Sequence, residues 1–175
     1  VQVDSLSSPG KWNRRKVSAK KNVQNIVNKL VSAYIKRENS FRNPIETLAD
    51  EKDFILSFEH QETVDQYKCW KDISFDLEKS VPMDRLICGD VGFGKTELAM
   101  RAAYRCVANG KKVVVLAPTT ILAEQLFQSF KSRMKNYGVF IDRVSRLRKK
   151  LDIEKIKDSW VSGKLDILIG THAVL

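Results

Sequence analysis

The spacing of hydrophobic residues between Trp12 and Glu38 predicts one long amphipathic helix. Apolar side chains recur every three or four residues along one face, at Val23, Ile26, Val27, Leu30, Val31 and Tyr34. Neither proline nor glycine interrupts the pattern. Because a lone helix of this kind is marginal in water, we expect its apolar stripe to pack on the rest of the chain or on a neighbouring domain.

Beyond Pro82, short apolar runs alternate with helical patterns. The predicted strands are Arg85–Cys88, Val113–Ala117, Val139–Val144 and Leu165–Ile169. The predicted helices between them are Lys95–Asn109, Thr120–Tyr137 and Asp152–Val161, and each has a glycine shortly after it. Apolar runs without polar alternation indicate strands that are buried on both faces. The pattern therefore predicts an α/β fold in which helices cover a parallel sheet.

Composition narrows the class of protein. The 175 residues are 43% hydrophobic, which suits one folded domain and excludes wholesale disorder. The apolar run Val113–Ala117 is too short to span a bilayer, and the first residues do not resemble a secretory leader, so we expect no membrane association. Three widely separated cysteines predict neither a disulfide framework nor a zinc site, and they favour a reducing compartment. Because the chain starts with Val1, we expect a fragment or a processed chain.

Positive charge is concentrated at the start of the chain. The net charge is +10, and residues 1–40 hold nine basic side chains against two acidic ones. We interpret residues 1–11 as a connector with a break at Pro9-Gly10, and residues 12–40 as a long basic linker helix. Such an arm suits a polyanion, because phosphate contacts release counterions. A solvated helix face that only keeps the protein soluble is an equal alternative from charge alone.

One segment carries a specific chemical signature. The residues Gly89, Asp90, Val91, Gly92, Phe93, Gly94, Lys95 and Thr96 match the phosphate-binding P-loop pattern. The segment lies between a predicted strand and a predicted helix, as the mechanism requires. Glycines allow backbone N–H groups to converge on phosphate oxygens, and the following helix directs its positive end at the same anion. The alternative is a glycine-rich turn that serves only the packing of the sheet.

Two residues of the loop have roles in catalysis by P-loop enzymes. The Lys95 ammonium can reach the β- and γ-phosphates, and the Thr96 hydroxyl can ligate Mg²⁺. The loop predicts binding of a nucleoside triphosphate with Mg²⁺, but GTPases, kinases, transporters and nucleic-acid motors all share it.

Further segments resemble one family of motors. These are Met83–Cys88, Thr96–Ala103, Ala117–Gln125, Val144–Arg146 and Ile169–His172. Together they resemble the transcription-repair coupling factor (Mfd) family of superfamily 2 DNA translocases, whose relatives include the RecG-type helicases. The likeness covers nearly the whole chain. It implies that residues 41–62 lead into the motor and carry the Q-motif region, and that residues 63–175 form the front of the first RecA-like ATP-binding domain.

The resemblance also implies a function and partners. Such a protein uses ATP to move along double-stranded DNA, displaces stalled RNA polymerase through adjoining domains and recruits repair. A second RecA-like domain would close on the first around ATP. The expected location is the bacterial cytoplasm, or a plastid if the source is eukaryotic.

The resemblance assigns adenine recognition to two residues before the loop. Gln66 matches the Q-motif glutamine, whose amide pairs with the adenine edge, and Phe58 would stack on the base. From the sequence alone a capping box is equally good for Gln66, because Thr63 stands three residues before it. Gln66 can fill both roles at different moments.

Candidate DNA contacts lie at the predicted carboxyl ends of strands. By resemblance they are Pro118, Thr119, Thr120, Arg146, Gly170, Thr171 and His172. Hydroxyls and free N–H groups at helix starts suit contacts to DNA phosphates. The alternatives are a plain helix N-cap for the two threonines and a solvated basic surface for the loop with Arg143, Arg146, Arg148, Lys149 and Lys150. With only two histidines in the chain, His172 predicts no metal site.

The chain ends at Leu175, before the Walker B carboxylates and the arginine finger that such motors need. We therefore expect an enzyme only as part of a longer protein, with no ATP hydrolysis by this chain alone. The alternatives are a RecG-type motor fragment, a non-catalytic module that binds nucleic acid or polymerase through the basic helix, and a P-loop phosphotransferase or GTPase.

Overall fold

A computed structural model describes residues 9–144 and 150–174, and it divides into two compact units. The first unit contains the described residues up to Arg42 together with Ser80–Pro82. Its helix α1 spans Pro9–Glu38. The end of the predicted connector is therefore helical, since proline suits the first turn of a helix. The predicted apolar stripe is exposed, with 59% of Val23 and 64% of Leu30 accessible to solvent.

The second unit contains Asn43–Lys79 and the chain from Met83 onward. It opens with two helices, α2 (Ala49–Leu56) and α3 (Val64–Glu78). The remaining elements alternate as helix and strand: α4 (Lys95–Ala108), β1 (Val113–Leu116), α5 (Thr120–Arg133), β2 (Ile141–Val144), α6 (Lys150–Val161) and β3 (Ile167–Gly170), followed by a 3₁₀ turn at His172–Val174. Among the described residues, no helix combines the length and hydropathy that crossing a bilayer requires.

The three strands form a parallel sheet in the order β1–β3–β2. Val113 of β1 and Ile141 of β2 both pair with Ile167, the first residue of β3. The central strand β3 is buried along its whole length, as its unbroken apolar run predicts. The predicted α/β class with a parallel sheet is confirmed.

The predicted first strand, Arg85–Cys88, is wrong, because this segment forms no strand in the structure. It is attached to helix α3 instead. The Arg85 guanidinium donates hydrogen bonds to Asp76 and Asp72, and Met83 and Ile87 pack against the apolar side of α3. A strand also needs a hydrogen-bonded neighbour, and Leu86 is 87% exposed.

Helix α4 lies at the centre of the second unit. On one side its residues Met100, Ala103 and Tyr104 pack with Phe54 of α2, with α5 and with β3. On the other side Leu98 packs with Trp70, Ile73 and Leu77 of α3. This packing fixes the direction of α4. The predicted P-loop leads directly into its first turn.

Two helices also differ from the prediction. The pattern does not predict helix α2, because its apolar residues Phe54 and Ile55 stand together rather than at helical spacing. Helix α5 ends at Arg133 rather than Tyr137, since single turns carry the chain from there to Gly138. Gly138 has a φ of +68°, which explains why glycine marks the end of this region.

Candidate functional site

The P-loop has a backbone conformation that depends on its glycines. Gly92 and Gly94 have φ values of +87° and +66°, where residues with a side chain are strained. A Cβ on Gly94 would lie 2.4 Å from the Gln66 amide nitrogen. Gly94 is also the N-cap of α4, and its carbonyl accepts a hydrogen bond from the Glu97 N–H. The loop therefore leads its backbone directly into the positive end of a helix.

The two predicted catalytic residues form the first turn of α4. The Lys95 ammonium donates hydrogen bonds to the carbonyls of Gly89, at 2.7 Å, and Asp90, at 2.5 Å. The lysine thus folds back over the loop that is predicted to hold phosphate. Thr96 is exposed beside it. A positively charged side chain, a hydroxyl and a helix N-terminus converge here, and this donor set fits a phosphate chain with its Mg²⁺.

Gln66 joins the loop to helix α3. Its Oε1 accepts a hydrogen bond from the Thr63 N–H at 2.9 Å, and its own backbone N–H donates to the Thr63 hydroxyl at 3.2 Å. The capping box is therefore present. In addition, the Gln66 side-chain amide donates to the carbonyl of Phe93 at 3.1 Å. A primary amide has two N–H groups and two lone pairs, so these contacts leave part of its capacity for a ligand.

A cavity of about 360 Å³ lies between this glutamine and the loop. It brings together Phe58 and Gln66, which are predicted to bind the base, and four residues of the P-loop. The full lining is Phe58, His60, Gln61, Thr63, Gln66, Val91, Gly92, Phe93 and Gly94. The Phe58 ring meets the His60 ring edge-on, with 5.3 Å between the centroids. The cavity thus has an aromatic wall, an amide and the loop backbone, which are the features that recognition of a base joined to phosphate requires.

The predicted DNA contacts, apart from Arg146, lie at one edge of the sheet. Pro118–Thr120 come shortly after β1, and Gly170–His172 begin at the last residue of β3, where Leu116 and Gly170 pair in register. The Ala117 N–H donates to the Gly170 carbonyl at 2.8 Å, which ties the two segments together. This carboxyl edge is where open α/β sheets bind ligands.

The alternative roles of these residues are also visible. Thr119 is the N-cap of α5, and its hydroxyl accepts a hydrogen bond from the Leu122 N–H at 3.2 Å. Arg146 lies outside the described residues. Arg143, three residues before it, forms an ion pair with Glu124 and lies over the Phe127 ring. Among the described residues, which include His172, no cluster of side chains is suited to hold a metal ion.

The sequence interpretation missed a buried network of charges on the helix that follows the P-loop. Glu97, the residue after Thr96, bonds to Arg101 on its own helix and to Arg133 at the end of α5. Arg101 also bonds to Glu62 at 2.5 Å. The available signal was the spacing of charges on an otherwise buried helix face, because Glu97, Arg101 and Arg105 stand four residues apart.

Known proteins resemble this chain in sequence over its whole length. It is 44% identical to the transcription-repair-coupling factor of Borreliella burgdorferi over 181 aligned residues, covering 100% of the chain and 16% of that protein. The factor of Mycobacterium bovis is 42% identical, covering 99% of the chain and 14% of the relative. The factor of Myxococcus xanthus is 41% identical, covering 100% and 15% respectively. The chain therefore spans only a small part of the length of these relatives.

Structural similarity points the same way. The structure of RecG bound to a three-way DNA junction superposes with a TM-score of 0.75 at 29% identity, over 81% of this chain and 20% of that one. The family model described as DEAD/DEAH box helicase matches residues 63–175, which include the P-loop, the capping-box glutamine and both segments at the carboxyl edge. The chain belongs to the DEAD/DEAH box helicase family.

Proposed function

We propose that this chain is the ATP-binding front part of the first motor domain of a double-stranded DNA translocase of the transcription-repair coupling type. The observation that carries the proposal is the cavity in which Gln66 and Phe58 face the P-loop. It offers an aromatic and an amide group for a base next to a backbone suited to phosphate. Identities of 41–44% to coupling factors, against 29% to RecG, favour the first class over a RecG-type helicase.

Each residue of the site would have a distinct role. The backbone N–H groups of the loop and the Lys95 ammonium would bind the triphosphate, and the Thr96 hydroxyl would hold Mg²⁺. The Gln66 amide would select adenine while its capping bonds keep it in place, and Phe58 would stack on the base. Bound Mg²⁺ would neutralise phosphate charge. These residues would bind and orient ATP, and its hydrolysis would further require carboxylates that hold Mg²⁺ and an arginine finger.

The carboxyl edge of the sheet would contact DNA. Pro118–Thr120 and Gly170–His172 present helix and turn starts there, and Arg146 would add positive charge. Binding of ATP would draw a second RecA-like domain onto this edge, and movement of the two domains would shift the duplex. Adjoining domains would carry the contact to RNA polymerase. Because the relatives described above are bacterial, we place this activity in the bacterial cytoplasm.

Titration with a fluorescent ATP analogue and Mg²⁺ tests the proposal. We expect Lys95→Ala to weaken binding by roughly tenfold to a hundredfold, since one charge-assisted contact to phosphate is worth about 1.5–3 kcal/mol. Lys111→Ala is the matched control, because Lys111 is an exposed lysine that follows the turn at the opposite end of α4. We also expect ATP to compete better than GTP. Equal binding by Lys95→Ala and the unmodified chain would contradict the proposal, and a preference for GTP would favour a GTPase.

A further inference from the structure

Phe58 is supported by two arginines of the charge network. The Arg101 guanidinium lies 5.6 Å from the centroid of the Phe58 ring, and the Arg133 guanidinium lies 5.8 Å from it. Both distances are within the range of cation–π attraction. The ring that lines the cavity beside the P-loop is therefore also in contact with two cations.

Arg133 also holds the backbone that carries Phe58. Its Nη1 donates to the hydroxyl of Ser57 at 2.8 Å, and its Nη2 donates to the carbonyl of Phe54 at 2.5 Å. Its guanidinium lies 4.1 Å from the Phe54 ring centroid. Ser57 precedes Phe58 directly, so the arginine fixes the turn between helix α2 and the aromatic residue.

The same guanidinium is attached to the P-loop helix. Arg133 donates through Nε and Nη2 to the two carboxylate oxygens of Glu97, at 3.0 and 2.9 Å. Only 4% of the Glu97 side chain and 12% of the Arg133 side chain are exposed. A largely buried bidentate pair of this kind is rigid, because the planar guanidinium matches the carboxylate at two points. The Arg133 side chain thus links Glu97, which follows Thr96, to Ser57, which precedes Phe58.

We propose that Arg133 is a positioning residue that sets the place of Phe58 relative to the P-loop and so controls the part of nucleotide affinity that comes from the base. The inference rests on the proposed function, because it assumes that the cavity holds an adenine nucleotide. It predicts that the base and the triphosphate respond differently to loss of Arg133. The triphosphate would be held by loop residues Gly89–Thr96, whereas the Arg133 guanidinium bonds to Glu97, Ser57 and Phe54.

Competition against the fluorescent analogue separates the two contributions. We expect Arg133→Gln to weaken ATP binding roughly tenfold, which is about the contribution of one aromatic stack, and to leave binding of inorganic tripolyphosphate with Mg²⁺ unchanged within about twofold. A merely structural role would weaken both ligands together. An equal loss for both ligands, or no loss for ATP, would overturn the inference.

Arg105→Gln is the matched control. Like Arg133, Arg105 has a largely buried side chain, but it belongs to α4 rather than α5. Its guanidinium makes a bidentate pair with Glu51. It lies over the Trp70 ring and not over Phe58. We expect this variant to lower the melting temperature without changing the ratio of ATP to tripolyphosphate affinity. If the control changes that ratio as much as Arg133→Gln does, the effect is general loosening and the inference fails.

Two more variants cover the case in which Arg133→Gln does not fold. Arg133→Lys keeps the charge near Glu97 but loses the second hydrogen bond and the planar contact, so we expect the same selective loss for ATP. In a Phe58→Leu background, replacement of Arg133 should cost less than about twofold further, since its action passes through the ring. Additive losses would contradict this route. Failure of the unmodified chain to bind either ligand would instead contradict the proposed function.

Discussion

Single residues of the P-loop carry constraints that can be tested independently of catalysis. Gly94 combines a positive φ with a close approach to the Gln66 amide, whereas Gly110 has a similar φ of +69° and open space within 4 Å of the place that a Cβ would take. The two glycines therefore separate backbone strain from loss of the contact between the loop and α3.

We expect Gly94→Ala to lower both stability and nucleotide affinity, because the new methyl group must displace Gln66 from the cavity. Gly110→Ala should cost about 1 kcal/mol of unfolding free energy and leave affinity unchanged. Urea unfolding and titration of the ATP analogue measure the two effects. If both variants bind nucleotide with the affinity of the unmodified chain, nucleotide binding does not depend on the position of Gln66 against Gly94.

The ion pairs of Asp76 with Lys79 and Arg85 predict that the stability of the fold depends on pH. The hydrogen bond from Lys79, together with the bond from Arg85, keeps the pKa of Asp76 below its usual value. The unfolded chain therefore takes up a proton first as the pH falls. The stabilisation is fully present above the ordinary aspartate pKa and is lost as the pH falls through the lowered one.

The expected result is that Asp76→Asn flattens the fall in stability below about pH 4, the usual range of an aspartate pKa. Asp72→Asn is the control, because its carboxylate is 64% exposed and makes a longer contact with Arg85 than Asp76 does. Urea midpoints between pH 3 and pH 6 measure the difference. An identical pH profile for Asp76→Asn and the unmodified chain would show that the pairing does not persist in solution.

At the scale of elements, burial decides which parts of the sheet hold the site in place. Ile169 of the central strand β3 is fully buried, while Val114 of β1 is 44% exposed. We expect Ile169→Ala to cost about 2–5 kcal/mol of unfolding free energy and Val114→Ala well under that, since only the first leaves a cavity. Comparable costs, measured by chemical denaturation, would mean that β3 is not the centre of the sheet.

The sequence predicted the elements whose own residues carry the signal. Helices α4, α5 and α6 and strands β1 and β3 have clear periodicity or unbroken apolar runs, and glycines follow the helices. The segment Arg85–Cys88 has the same apolar character but no neighbouring strand, and its partner is the acidic face of α3. Local pattern does not report which partner is available, and this is why the prediction failed there.

In the candidate site, too, local motifs were predicted and long-range contacts were not. The P-loop and the capping box of Gln66 are each a short run of neighbouring residues, so the sequence alone indicated where they lie in the chain. The contact between Arg133 and Ser57 joins residues 76 positions apart in the chain. No short-range pattern could have joined them, because the contact exists only once α2, α4 and α5 have packed around Phe54.

For the whole molecule, the salt dependence of DNA affinity tests which positive charges would bind the nucleic acid in the proposed function. The proposed motor function predicts that Arg146→Gln weakens DNA binding and reduces the slope of log affinity against log salt by about one. Neutralisation of Arg14, Arg15 and Lys16 on α1 is the comparison. If the slope falls only with those three substitutions and ignores Arg146, the basic helix binds the nucleic acid and the module hypothesis replaces the motor.

The central claim is that the backbone of the P-loop binds the triphosphate of an adenine nucleotide. Amide chemical shifts of the ¹⁵N-labelled chain, recorded during titration with ATP and with tripolyphosphate in the presence of Mg²⁺, test it most directly. We predict that the amides of Gly89–Thr96 shift with both ligands, and that those of Phe58 and Gln66 shift with ATP alone. Loop amides that stay unchanged while either ligand binds elsewhere would contradict the account.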